Sequence, residues 1–581
     1  MALTIKASFT SSHTPFPKKQ SPKIVKLNQV DFNSALAPEK WSIIQENTLA
    51  STSLNHLTNL PDQHFSNSKV LSQDDICVKH HGERLRAFKQ TLAKTSCEDA
   101  FEGLVMIDAI QRLGIECNFQ EEIDAILKRQ YLIPTTNDYD LHETALRFRL
   151  LRQEGYHVLP GVFNNFKDEG KFKKELTDDI KGLMGLFEAS QLSIVGEDIL
   201  DEASDYSHRL LNSSTTHLDD TQARIVKNTL QYPHHKSLSR FMAKNFIRDF
   251  QRSNGWMNEL QELAKIDIKM VQSQHKQEIL KISRWWKDVG LSKELKFARN
   301  QPLKWHMWSM ATLADPSLSE QRVDLTKPIS FIYLIDDIFD VYGTLDELIL
   351  FTEVINRWDI AAAEQLPDHM RICFMALDNI TDEISHKVYK QLGWNPVDSL
   401  RKTWASLCNA FLVEAKWFGS GQLPNAEEYL NNGIISSGVH VVLVHIFFLL
   451  GHGVTKENVE LIDNHPPIMS STAAILRLWD DLGSAKDEDQ DGHDGSYVEC
   501  YMKEYKGCSV ESVRKKVKDM ISNAWKQLNQ ECLSPNRFSS TFNKACLNLA
   551  RMVPLMYDYD DCQQLPLLES HVKSILQDTL S

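Results

Sequence analysis

Three aspartates, Asp336, Asp337 and Asp340, interrupt an apolar run that reads FIYLIDDIFDVYGT from Phe331 to Thr344. An isolated carboxylate is costly to bury and needs a partner. On a helix, Asp336 and Asp340 share one face, with Asp337 beside them. Like charges at that spacing repel. A hard divalent cation, which takes oxygen ligands, relieves both problems. The competing reading is a solvated acidic helix end, and the apolar residues from Phe331 to Ile335 speak against it.

A second acidic segment reads LRLWDDLGSAKDEDQDGHDG. Asp480, Ser484 and Glu488 follow at four-residue steps, so on a helix they drift by only about 40° per step and form one row of oxygen ligands. Two such rows facing each other across a bundle could hold about two or three Mg²⁺ ions. Mg²⁺ keeps several waters and prefers to share the phosphate oxygens of a substrate. The pair of rows therefore implies a diphosphate-type ligand. Arg477 lies one turn before Asp480 and Asp481, where it reaches that ligand or pairs with Asp481 at i, i+4.

The elements that must position these groups read as helices. FEGLVMIDAIQRLGI places Leu104, Ile107, Ile110 and Leu113 at helical spacing. EEIDAILKR and HETALRFRLLRQEGY continue in the same style, and period-two alternation is rare. The expectation is an all-α fold of two helical domains with short links. Residues 70–252 form the N-terminal helical domain and 253–581 the C-terminal one, divided near Ser253. Residues 1–40 are a transit segment or disordered tail, and 41–69 an extended arm. The first thirty residues carry lysines and many Ser and Thr but no acid, which suits an organellar address despite the lack of arginine.

Composition narrows the function. The 581-residue chain carries a net charge of −14, which disfavours a nucleic-acid partner. Its ten cysteines form no C-x-x-C pair, so reduced thiols are expected rather than a zinc site or disulfide framework. The apolar run Val439 to Gly451 contains His440 and His445 and is too short to span a bilayer, so it reads as a buried helix. Other acidic or histidine-rich segments carry less. DEDQDG from Asp487 opens like an EF-hand loop, but its twelfth position is Val498 and Glu499 comes one residue late. DYDD from Asp558 resembles the acid of protonation-initiated cyclases but lies near the C-terminus. His80–His81 and His234–His235 read as solvated loop histidines, and with Cys77 and Glu83 nearby they make no recognised metal spacing.

DDIFD at Asp336 to Asp340, followed by DDLGSAKDE from Asp480 to Glu488, resembles the two metal motifs of plant class I terpene synthases. LRFRLLRQEGYHV from Leu146, EASQLSIVGEDILDEA from Glu188 and FARNQPLKWHMW from Phe297 resemble further family segments, and the likeness runs from about residue 75 onward. The resemblance implies a C-terminal helical bundle around an apolar pocket with the acid rows at its mouth. It implies three Mg²⁺ ions, for which Mn²⁺ could substitute. Asp336 and Asp340 would be direct ligands and Asp337 a supporting partner. Asp480, Ser484 and Glu488 would hold a further ion. Arg299 and Arg477 would contact the diphosphate of a prenyl substrate. Trp308 would be a pocket aromatic, or plain core. Tyr557 would sit near a C-terminal lid, or be an ordinary half-buried tyrosine.

Two departures from the family pattern sharpen this. The tandem arginines that many cyclic-monoterpene synthases carry before an N-terminal Trp are absent from NSALAPEK, which precedes Trp41. The family R-x-R reads Arg299-Asn300-Gln301, with its second arginine lost. Both resemble the subgroup with acyclic products. The expectation is ionisation of geranyl or farnesyl diphosphate and capture of the cation by water, giving linalool or nerolidol, in a monomer located in the plastid or alternatively the cytoplasm. The alternatives are a cyclic mono- or sesquiterpene synthase, a chain-elongating prenyltransferase, whose second motif would repeat D-D-x-x-D, and a non-enzymatic Ca²⁺-binding scaffold.

Overall fold

The computed structural model describes residues 73–133, 139–249, 255–296, 298–487 and 495–557, with Leu568 and Val572. The transit segment, the arm with Trp41, the boundary at Ser253, Glu488 and DYDD lie outside these residues, as does most of DEDQDG. Helices dominate as the periodicity predicts. Leu104, Ile107, Ile110 and Leu113 are all buried. Their helix, Ala100–Arg112, begins where the Asp99 side chain accepts from the N–H groups of Phe101 and Glu102, satisfying donors that the first turn leaves open. Among the described residues the only strands are a two-residue antiparallel pair, with Lys167 opposite Phe172.

Two main cores are joined by one long helix, Trp256–Val289, of 34 residues, roughly 50 Å in length. Its first turns contribute Leu260, Leu263 and Ala264 to the core around Phe88, Ile107 and Leu127. Its last turns contribute Ile279 and Trp286 to the C-terminal core. At the centre of that second core lies Val439–Leu450, all twelve of whose residues are buried. A helix that is apolar on every side belongs in such a place. Joined to the preceding Ala426–Ser436, this stretch is 25 residues long and, by length and composition alone, apolar enough to cross a membrane. It is, however, broken at Gly438 (φ +74°) and mostly buried inside the bundle.

The histidine pairs differ from the solvated loops expected. His80 and His81 lie in the helix Gln73–Glu98, and His81 faces Asp267 at 3.6 Å. His235 is 1% exposed. It hydrogen-bonds Asn529 Oδ1 at 2.8 Å, while Asn529 Nδ2 donates to the carbonyls of Gln191 and Ser193 at 3.0 Å each. Arg551 Nε donates to the His235 carbonyl at 2.7 Å. Contacts with the other domain bury His235, and its own neighbours in sequence carry no sign of that.

Beneath the first aspartate motif, the helix Ser319–Asp337 is tied to the long helix by a buried cluster. Arg322 Nη2 meets Glu278 Oε1 at 2.7 Å, and His306 Nε2 meets Glu278 Oε2 at 3.1 Å. Burial alone would raise the Glu278 carboxyl, but the hydrogen bonds from His306 and Arg322 overcome it and hold the pKa down at about 2, against an ordinary 4.5. A folded pKa below the unfolded one contributes stability that is complete above the unfolded value and lost as pH falls through the folded one. We expect this group to withdraw on the order of 3 kcal/mol between pH 4.5 and 2. Denaturant unfolding of Glu278→Gln should therefore show lower stability at pH 7 and a shallower decline than wild type across that window.

Candidate metal and diphosphate site

The helix carrying the first motif is buried from Arg322 through Asp337 except at Val323. It then loosens into a single π turn, Ile338–Tyr342, closed by Gly343 N–H to the Ile338 carbonyl at 2.9 Å. The chain leaves tightly, since a Cβ on Gly343 would lie 2.4 Å from Leu348 Cδ2. Thr344 and Glu347 then open the next helix with a capping box. This corrects the expected uniform α-helix. Asp336 is fully buried on the last α turns, whereas Asp340 sits in the π turn and is exposed. Widened turns of this kind recur at functional sites.

Arg299 organises the first motif. Its guanidinium bonds Asp336, and its Nε lies 2.7 Å from Asp337 Oδ1. Its backbone N–H donates to Asp337 Oδ2 at 2.8 Å, and Nη2 donates to the Tyr333 carbonyl at 3.2 Å. Asp337 thus holds Arg299 through both backbone and side chain. Asp336 keeps one oxygen, Oδ1, buried with no hydrogen-bond partner.

The second motif repeats the arrangement on Pro467–Asp487. Arg477 bonds Asp480 and donates from Nε to Asp481 Oδ1 at 3.0 Å, so the i, i+4 pair allowed by the spacing does form. Tyr429 donates to Asp481 Oδ1 at 2.8 Å, and the Tyr497 N–H donates to Asp481 Oδ2 at 3.3 Å. Gly433 lets the arginine lie close, since a Cβ there would be 2.6 Å from Arg477 Cδ. The backbone at Ser484 is helical, while Glu488 lies beyond the described residues. Tyr557 abuts this helix at Gly483, where a Cβ would come within 2.7 Å of the Tyr557 carbonyl oxygen.

Between the motifs lies a cavity walled by Trp308, Tyr333 and Ile332 on one side and Leu476 and Val442 on the other. Trp308 Nε1 donates to the Tyr333 hydroxyl at 3.0 Å, so Trp308 is a cavity aromatic as well as a core residue. Two charged groups here carry no sequence motif. Glu414, on Val397–Ser420, accepts from Ser436 Oγ at 2.6 Å and Asn432 Nδ2 at 3.1 Å. Its carboxyl is raised by burial, and it feels both Arg477 and Asp336. Lys304, four residues before Trp308, lies 6.0 Å from the Tyr333 ring centroid, and Arg299 lies 4.9 Å from the same ring. Burial and Arg299 lower the Lys304 amine to about 8, against the pull of Asp480. The i, i+4 spacing to Trp308 was the one available signal for Lys304. Glu414 arrives by packing alone.

The carboxyls facing this mouth are held high. Burial pushes Asp337 up to about 6 despite Arg299. Crowding by protein, then Asp336 and Glu414, push Asp340 well above its ordinary value even though it is open to solvent. A hard, oxygen-preferring dication fits this donor set, and the unpartnered Asp336 Oδ1 is the clearest mark of it. Among the described residues no three acid, His or Cys groups form a complete cage. Asp336 and Asp340 would leave places for water and substrate oxygen, as Mg²⁺ prefers.

Residues 287–527 match the model of the terpene synthase family, metal binding domain, and residues 54–230 that of the terpene synthase N-terminal domain. The chain is 65% identical to probable terpene synthase 13 of Ricinus communis over 98% of its own length and 97% of the relative. It is 54% identical to an (E)-nerolidol synthase of Cannabis sativa (90% and 97% covered) and 49% identical to a chloroplastic S-(+)-linalool synthase of Arabidopsis thaliana (94% and 95%). The crystal structure of grey poplar isoprene synthase with three Mg²⁺ ions and dimethylallyl-S-thiolodiphosphate superposes with a TM-score of 0.81 at 34% identity, covering 87% of this chain and 98% of that one. The two helical domains, the paired acid motifs and these matches over nearly the whole chain establish that this protein is an enzyme of the terpene synthase family.

Proposed function

We propose that this synthase ionises geranyl or farnesyl diphosphate and captures the allylic cation with water at its tertiary carbon, releasing linalool or nerolidol. The observation that carries the reading is the paired clamp: Asp336 with an open buried oxygen on one side, Arg477 with Asp480 on the other, and an apolar, aromatic cavity between them. The similarity to nerolidol and linalool synthases and the loss of the second R-x-R arginine at Gln301 support the acyclic alcohol.

Asp336, Asp340 and Asp480, with Ser484 and Glu488, would hold Mg²⁺, or Mn²⁺ in its place. When bound, the metal supplies Lewis-acid stabilisation of the departing diphosphate. Arg299 and Arg477 would exchange aspartate bonds for phosphate oxygens, with Lys304 adding charge from beside the Tyr333 ring. Asp337 would keep Arg299 oriented throughout. The breaking C–O bond gives its electron pair to the diphosphate, and the faces of Trp308 and Tyr333 would steady the cation. Tyr557, packed on the second-motif helix, would help close the mouth. The acid-free, lysine-bearing start of the chain and the chloroplastic relative favour a plastid address, and the protein would act as a monomer.

Asp336→Ala should lower turnover at least about a hundredfold while far-UV circular dichroism keeps the wild-type helix signal. Retained activity would contradict the metal role. Gas chromatography of incubations with Mg²⁺ should show linalool from geranyl diphosphate and nerolidol from farnesyl diphosphate. Limonene or another ring as the main product would refute the acyclic reading. A longer diphosphate formed with isopentenyl diphosphate would refute the synthase reading.

A further inference from the structure

The cavity beneath the clamp carries one hydroxyl that the fold leaves uncommitted. Thr312 ends the helix Pro302–Thr312, one turn beyond Trp308, and is 2% exposed. Its Oγ has no hydrogen-bond partner, although a threonine on a helix can bond the carbonyl one turn back. Neighbouring polar groups on the same wall are engaged. Trp308 Nε1 donates to the Tyr333 hydroxyl at 3.0 Å. The Ser437 hydroxyl donates to the Ile434 carbonyl at 2.7 Å and accepts from the Val439 N–H at 3.3 Å. Ile329, Ile332, Val442 and Leu476 make the rest of the lining apolar. The space in which a water centre can sit is about 20 Å³, and one water needs roughly 10–15 Å³ with at least two polar partners.

We infer that Thr312 is the positioning residue for the water that ends the reaction. The inference rests on the tertiary-alcohol reading above and names the group that selects it. Thr312 Oγ accepts one water proton. The Tyr333 hydroxyl, which accepts from Trp308, still has its own proton to give and is the second partner. The water oxygen is held against the cavity wall that also carries Trp308, beside the cation rather than in bulk solvent. Its lone pair forms the C–O bond at the tertiary carbon, and the allylic double bond settles at the chain end. The extra proton passes to the released diphosphate, which is the base the ionisation itself creates. Loss of this ordered water leaves the same cation to shed a proton from a neighbouring carbon, giving an acyclic olefin.

The test is the ratio of tertiary alcohol to acyclic olefin within one reaction. It uses the full chain, Mg²⁺ and whichever of geranyl or farnesyl diphosphate wild type turns over faster. In Thr312→Val, an isosteric change that removes only the hydroxyl, the ratio should shift at least about tenfold toward olefin, and Thr312→Ser should restore most of the alcohol. The melting temperature of Thr312→Val should equal or exceed that of wild type, because the lost hydroxyl makes no protein hydrogen bond. A purely structural threonine would move the melting temperature and leave the ratio alone. If Thr312→Val makes too little product to read, Thr312→Ala is read in the same way. An unchanged ratio overturns the assignment of Thr312 and leaves the alcohol reading standing. Wild type that forms no alcohol overturns that reading and the assignment with it.

Discussion

The mouth of the C-terminal bundle depends on carboxylates that the protein's own cations do not neutralise. Asp336, Asp337, Asp340, Glu414, Asp480 and Asp481 converge there, and among the described residues Arg299, Arg477 and Lys304 answer them. Fully paired acids elsewhere behave differently. Asp108, between Arg112 and Arg149, and Glu278, between Arg322 and His306, are held below the ordinary carboxylate range even though burial opposes it. At the mouth, Asp337, Asp340 and Glu414 are held above it. That contrast is a local excess of negative charge of the kind a multivalent cation would relieve, and the Asp336 oxygen without a partner lies within it.

Much of the remaining structure serves to hold that unfavourable arrangement in place. The apolar Val439–Leu450 helix sits at the centre of the bundle, and the Glu278 cluster anchors the root of the first-motif helix. The long helix from Trp256 carries part of the first core into the second, so the N-terminal domain braces the bundle. Asn529 ties the junction by buried hydrogen bonds to His235 Nε2 and to the carbonyls of Gln191 and Ser193. A cluster of like-charged carboxylates requires such a frame, because packed cores resist continuous deformation.

What was legible in the sequence follows from how local each feature is. The acid rows lie on single helices at fixed spacing, so Asp336, Asp480 and Arg477 could be placed from residue types alone. The helical class followed from periodicity. The π turn at Ile338–Tyr342 was not legible, because it depends on the tight exit past Gly343 into Leu348. Glu414 and Tyr429 reach the site from separate helices, and nothing in their own segments marks them. The burial of His235 came from Asn529 and Arg551, some three hundred residues away. Thr312 became visible only as a hydroxyl without a partner inside a cavity.

Two half-sites would close on a diphosphate through shared metal. Calorimetric titration of Mg²⁺ into the protein, with and without inorganic diphosphate, tests it without any turnover. Mg²⁺ alone should bind weakly, and at least about tenfold tighter with diphosphate present, since the anion supplies further oxygen ligands. Mg²⁺ affinity indifferent to diphosphate, or tight Ca²⁺ binding that ignores it, would contradict the clamp.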